Sequence, residues 1–294
     1  MAPARGRRIG LGSKGPGWLF CPADRPERFG KASAAADVVI LDLEDGVAAK
    51  DREAARKALI DTPLDPARTV VRVNPVATPD HVLDVQAIKA THYTTVMLAK
   101  SETAEQVASL APLDVVVLVE TPLGALAVTE IAQVDNACAV MWGAEDLFAA
   151  TGGTANRWPD GSYRDVAKHV RSQSLLAAKA YGLMALDSVY LDIKDLDGLR
   201  AETDDAVAVG FDAKVAIHPS QVAVIRAGYA PSDDQIVWAR AVLARASSER
   251  GVFQFEGQMV DMPVLRRAER IVALAPSSGA LAPSSGALAP NSGE

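Results

Sequence analysis

Two apolar runs between Asp114 and Leu147 restrict the fold of this chain more than any other stretch does. The first, Asp114-Val-Val-Val-Leu-Val, runs straight into Glu120-Thr-Pro. A helix-like segment, 124–133, leads to the second, Cys138-Ala-Val-Met-Trp-Gly143, and then to Ala-Glu145-Asp146-Leu. Apolar and β-branched residues without polar alternation suit parallel strands buried on both faces. Such strands in α/β folds carry functional groups at their C-terminal ends. Two neighbouring strands of this kind would place Glu120 and Asp146 side by side at the mouth of a sheet or barrel. Carboxylates held that close repel one another unless a cation lies between them, and an all-oxygen pair suits Mg²⁺. Either acid alone also suits a plainer role, as a helix cap or a solvated side chain.

The same alternation extends along the chain. Strands are expected at Trp18–Cys21, Asp37–Gly46, Thr69–Pro75, Thr94–Lys100, at the two runs above, at Leu186–Asp192 and at Ala213–Pro219. Helices are expected at 26–36, 50–60, 78–91, 102–110, 124–133, 163–181, 195–209, 220–227 and 232–249, with a Gly/Asn/Trp loop at 152–162. Eight strand–helix units in roughly 200 residues match an α/β (β/α)₈ TIM barrel, here assigned to residues 17–249. A doubly wound open sheet is the structural alternative, but no G-x-G-x-x-G phosphate turn follows the first strand. Residues 1–16 read as a flexible N-terminal arm. The segment 250–274 reads as a turn or hairpin plus an Arg-rich helix. Residues 275–294 repeat Ala-Pro-Ser-Ser-Gly-Ala-Leu and are expected to be a disordered tail, either a natural linker or an appended segment.

Composition excludes several classes. A chain of 294 residues with 49% hydrophobic content can bury one large core or two small ones. Its net charge of −7, with both signs mixed throughout, carries no nucleic-acid footprint. Cys21 and Cys138 lie in apolar runs, which suits reduced core thiols. No apolar run approaches the ~20 residues of a membrane span. A soluble, cytoplasmic setting is the simplest expectation.

The remaining strand ends supply more chemistry. Arg72 lies within a Val-rich strand, where burial is costly unless the guanidinium meets anions. One reading is a structural ion pair with Asp42, Glu44 or Asp45; another is a grip on a substrate carboxylate or a developing enolate oxygen. Glu44 and Asp45 would then orient Arg72 and metal-bound waters. His218 suits either an acid/base group or a rim histidine bonded to backbone. Asp204-Asp205 and Asp233-Asp234 read as solvated helix starts.

Six motifs occur in the order and spacing of one family. They are Leu-Phe-Cys-Pro-Ala-Asp-Arg25-Pro-Glu-Arg28-Phe, Val-Ile-Leu-Asp-Leu-Glu44-Asp45, Val-Arg72-Val-Asn, Val-Glu120-Thr-Pro, Gly143-Ala-Glu-Asp146-Leu and Ala-Ile-His218-Pro. Together they resemble the citrate lyase β-subunit-like (CitE-like) family, within the Mg²⁺-dependent HpcH/HpaI aldolases and malyl-CoA lyases, over about residues 17 to 274. The resemblance implies a (β/α)₈ barrel that cleaves a carbon–carbon bond in a 3-hydroxyacyl thioester. By matching motif, it implies Glu120 and Asp146 as Mg²⁺ ligands and Arg72 as the substrate-binding arginine, beside Glu44 and Asp45. Arg25, with Lys31, is implied to meet the CoA phosphates. Gly-Gln-Met-Val-Asp261-Met-Pro resembles a segment whose aspartate reaches a neighbouring subunit's site, which implies a homo-oligomer, a trimer or hexamer.

The implied chemistry is a retro-Claisen cleavage to acetyl-CoA and an oxoacid, with Arg72 stabilising the enolate and Asp261 returning the proton to carbon. Citramalyl-, malyl-, hydroxymethylglutaryl- and citryl-CoA all remain candidate substrates. Two alternatives stand beside this reading. One is a citrate lyase β subunit acting on an acyl-carrier-protein thioester. The other is a barrel that binds acyl-CoA or an oxoacid without turnover.

Overall fold

The computed structural model describes residues 14–249 and 251–275. Eight parallel strands, β1 (Gly17–Pro22), β2 (Val38–Asp42), β3 (Thr69–Val73), β4 (Thr95–Leu98), β5 (Asp114–Val119), β6 (Ala137–Trp142), β7 (Met184–Asp187) and β8 (Ala213–Ala216), form a closed barrel. Closure comes from β1 against β8, with Gly17 opposite Lys214 and Leu19 opposite Ala216. The helices follow in turn: α1 (Phe29–Ala35), α2 (Arg52–Asp61), α3 (Pro79–Lys89), α4 (Ala104–Ala108), α5 (Pro122–Ile131), α6 (Ala144–Thr151), α7 (Asp165–Ala180), α8 (Leu196–Val209) and α9 (Pro219–Tyr229).

Burial on both faces explains why the strands read as unbroken apolar runs. Trp18, Val38, Ile40, Val70, Met97, Val116, Leu118, Met141, Leu186 and Val215 share one buried cluster, the barrel interior. Alternate residues on the same strands, among them Leu19, Val39, Leu41, Val71, Val117 and Val140, join the larger cluster formed with the helices. Each fully buried Val, Leu or Ile contributes roughly 1.5–3 kcal/mol relative to exposure. The two-residue period carries Asp42 and Arg72 onto the inner face after Ile40 and Val70, and the two are register partners.

Three expectations need correction. The seventh strand is Met184–Asp187, not Leu186–Asp192. Its pairing with β8 ends at Asp187, which is buried against Lys214 (2.9 Å) and Arg171 (2.9 Å). Asp146 does not end a strand but lies in the first turn of α6, which Gly152 stops in the left-handed region (φ 69°). Asp204 and Asp205 lie well inside α8, paired with Arg200 and Arg171, whereas Asp233 and Asp234 do open a helix.

The chain divides into two compact units, with the boundary between Tyr229 and Ala230. The second contains α10 (Asp233–Ala246), a hairpin of β9 (Phe253–Phe255) and β10 (Gln258–Val260), and α11 (Met262–Leu274). Ala239, Val242, Val260 and Ala268 form its core. Residues 1–13 of the expected arm, and the expected tail beyond Ala275, lie outside the described residues. Among the described residues no helix is long and apolar enough to cross a membrane.

Candidate active site at the barrel mouth

The site is built from the C-terminal ends of β2 to β6. Asp42, the last residue of β2, accepts four hydrogen bonds. Its Oδ1 receives Arg72 Nε (2.7 Å) and the Glu44 amide (2.9 Å); its Oδ2 receives Arg72 Nη2 (2.6 Å) and the Gly46 amide (2.8 Å). Arg72 Nη1 lies 3.1 Å from Glu44 Oε2, and the guanidinium sits 4.7 Å from the centre of the Phe20 ring. Burial opposes the Arg72 charge, but Asp42 and Glu44 outweigh that effect and hold its pKa above the ordinary arginine value. The ion-pair reading of Arg72 therefore holds, with Asp42 as the main partner. Three contacts do not exhaust the five donors of a guanidinium.

Glu120 follows β5 directly and is only 3% exposed. Burial, and then the Asp146 charge, push its carboxyl up to about 8 against the pull of Arg72 and Lys100. Gly143, at the end of β6, gives it room: a Cβ there would lie 2.8 Å from Glu120 Oε2 and 2.9 Å from its Cβ. Asp146 approaches from the neighbouring strand's helix, α6, whose N-terminal dipole favours a carboxylate.

Lys100 is the residue that the sequence reading missed. It follows β4 in the left-handed region (φ 51°), which a non-glycine residue adopts only when its surroundings demand it. That turn aims its amide at Glu120 Oε1 (2.9 Å). Its ammonium lies 2.5 Å from Glu44, 3.3 Å from Asp45, 3.3 Å from Asp146 and 4.0 Å from Glu120. Burial weakens its charge, but the bond to Glu44 and the charges of Glu120, Glu44 and Asp146 outweigh that and raise its pKa. Glu44 itself is raised by burial despite Arg72 and Lys100. The available signal was position: Ala99-Lys100-Ser101 closes its strand where the acids close theirs.

The structure thus gathers Glu44, Asp45, Arg72, Glu120 and Asp146 in one ion-paired set and adds Asp42 and Lys100. Arg25 and Lys31 lie outside it, exposed on the segment after β1; Arg25 Nε is 4.0 Å from Asp24. His218 is exposed, with Nδ1 2.7 Å from Ser220 Oγ and accepting from the Ser220 amide at 3.2 Å. Asp261, in the second unit, caps α11 by accepting from the Val264 amide (3.3 Å).

Among the described residues no three His, Cys, Asp or Glu side chains gather at ligating geometry. A carboxylate pair is nonetheless how Mg²⁺ is commonly held, with water and substrate oxygens completing the octahedron. The donor set fits such a hard cation, because the mutual repulsion of Glu120 and Asp146 is what a cation would relieve. Beside it lies the Arg72 guanidinium, fixed in orientation by Asp42.

The family model described as HpcH/HpaI aldolase/citrate lyase matches residues 17–219. The chain belongs to this family. It is 61% identical over 267 residues to a citrate lyase subunit beta-like protein of Mycobacterium tuberculosis, covering 91% of this chain and 98% of that one. The mitochondrial citramalyl-CoA lyase of Homo sapiens is 31% identical over 293 residues, covering 88% and 85%. Among solved structures, CitE from M. tuberculosis in complex with magnesium, acetoacetate and coenzyme A is similar with a TM-score of 0.86 and 62% identity, over 88% of this chain and 97% of that one. The barrel fold and the family anticipated from the motifs are both borne out.

Proposed function

We propose that this chain is a Mg²⁺-dependent carbon–carbon lyase that cleaves a 3-hydroxyacyl-CoA thioester to acetyl-CoA and an oxoacid. The observation that carries this reading is the Glu120–Asp146 pair, one directly after β5 and the other in the first turn of the helix that follows the neighbouring strand β6, beside an arginine fixed by Asp42. The solved relative with magnesium, acetoacetate and coenzyme A supports it. Glu120 and Asp146 would hold the metal, which when bound supplies Lewis acidity toward the substrate's oxygens.

The chain's own residues account for the rest. Asp42 locks the Arg72 fork so that its remaining N–H groups meet the charge that develops on the thioester oxygen as the bond breaks. Because the guanidinium is already oriented, no reorganisation is needed at that moment. Glu44 and Asp45 position Arg72 and Lys100 through the contacts above. Arg25 and Lys31, both exposed, suit the phosphates of CoA. Asp261 is assigned as the general acid that protonates the enolate carbon, contributed by a neighbouring subunit of a homotrimer or hexamer. Two free, buried cysteines fit a reducing, cytoplasmic setting.

The test is incubation of the purified chain with Mg²⁺ and a panel of citramalyl-, malyl-, hydroxymethylglutaryl- and citryl-CoA. Metal-dependent release of acetyl-CoA and the matching oxoacid from at least one ester is expected. Turnover of acyl-carrier-protein thioesters alone would move the reading to a citrate lyase β subunit. Binding without cleavage of any ester would refute lyase activity.

A further inference from the structure

Carboxylates outnumber cations at the barrel mouth: Asp42, Glu44, Asp45, Glu120 and Asp146 face Arg72 and Lys100. The two cations are held differently. Arg72 rises from a strand, and Asp42 takes two of its nitrogens. Lys100 stands on a turn, with a flexible stem and a side chain 29% exposed. Its ammonium is shared among four carboxylates at 2.5 to 4.0 Å.

Two of those four, Glu120 and Asp146, are the pair to which the proposed function assigns the divalent cation, and the inference rests on that assignment. A lysine ammonium is a compact point charge, and a second cation between the same carboxylates would be strongly repelled by it. The geometry points to Lys100 as a competitor of the metal: it neutralises these carboxylates in the metal-free protein and leaves them as a divalent cation enters. Asp45, with its side chain 55% exposed, marks the way out, because the ammonium can keep that partner while retracting toward solvent. The backbone need not follow. The Lys100 amide holds Glu120 Oε1 through a bond that the side chain does not make, so the left-handed turn continues to orient Glu120. Lys100 is therefore a positioning residue, acting through the carboxylates and not on the substrate.

Two measurements test this. Calorimetric titration with MgCl₂ compares the full chain with Lys100→Met, which keeps an apolar stem and removes the charge. The variant is expected to bind Mg²⁺ at least about fivefold more tightly, the low end of ordinary coupling between sites. Its melting temperature should also rise more on Mg²⁺ addition than the parent's does. Lys100→Met binding no more tightly than the parent overturns the inference. The second measurement needs no variant: Lys100 is acetylated with limiting acetic anhydride and quantified by mass spectrometry, with and without Mg²⁺. Departure from the carboxylates, which keep the ammonium protonated and shielded, predicts faster labelling in Mg²⁺. Unchanged or slower labelling overturns the inference even where the calorimetry agrees, and decides the matter if Lys100→Met fails to fold. A parent chain that takes up no Mg²⁺ fails the metal assignment itself, which is a different outcome from a parent that binds Mg²⁺ and keeps Lys100 in place.

Discussion

Asp42→Asn removes one charge at the barrel mouth with almost no change of shape, and its cost can be worked from the contacts. Each oxygen of Asp42 accepts from one Arg72 nitrogen and one backbone amide. An asparagine amide must place its NH₂ on one side or the other, so in either flip two donors face a donor. The side chain cannot swing away cheaply, because it is 3% exposed and packed so closely that a Cβ on Gly46 would lie 2.3 Å from Oδ2. Removing one partner of a buried ion pair costs about 3–5 kcal/mol. Glu44 remains 3.1 Å from Arg72, so the lower end applies. At about 2–4 °C per kcal/mol for a domain of this size, 3 kcal/mol lowers the melting temperature by about 6–12 °C. Circular dichroism melts of parent and variant at pH 7.5 give the number directly. A fall of less than about 2 °C would refute the claim that Asp42 neutralises Arg72, and lyase activity should fall with the stability.

Arg72→Lys should cut kcat/KM by at least about a hundredfold, because a point charge cannot reproduce a fork that grips Asp42 and an anion together; near-normal turnover would reject the catalytic role. Asp261→Asn and Asp146→Ala should each be inactive alone, yet recover part of the activity when mixed under confirmed subunit exchange. No recovery would place Asp261 outside any shared site. Asp187 is held down at about 2 by Lys214 and Arg171, against the effect of its burial. A depressed carboxyl contributes stability above its unfolded pKa and loses it as pH falls through the folded value, so the parent's advantage over Asp187→Asn should be full above about pH 4 and shrink toward pH 2. Urea midpoints across that window check it, and a difference independent of pH would contradict it.

The barrel was legible because its strands are buried on both faces, which leaves continuous runs such as Val115–Val119 and Val38–Leu41. Their C-terminal acids were legible for the same reason, since a carboxylate ending such a run stands out. Polarity misled where tertiary pairing hides it. Asp187 lies inside the expected Leu186–Asp192 run, yet it ends the strand, neutralised by Lys214 from the next strand and Arg171 from α7. Lys100 was missed because its reach depends on a backbone angle, φ 51°, that its place at a strand end does not reveal; only after the turn does its ammonium reach carboxylates at Glu44, Asp45 and Asp146. Likewise α6, Ala144–Thr151, was missed although Gly152 and Gly153 behind it offered a stop.

The central claim is that Glu120 and Asp146 together hold the cation on which cleavage depends, and calorimetric titration of the parent and of Asp146→Ala with Mg²⁺ tests it most directly. Asp146 is half-exposed and outside the apolar core, so the variant should keep the parent's circular dichroism spectrum. The account predicts saturable Mg²⁺ binding by the parent and at least about a tenfold loss of affinity in the variant, equivalent to about 1.4 kcal/mol. A correctly folded Asp146→Ala chain that binds Mg²⁺ as tightly as the parent would contradict it.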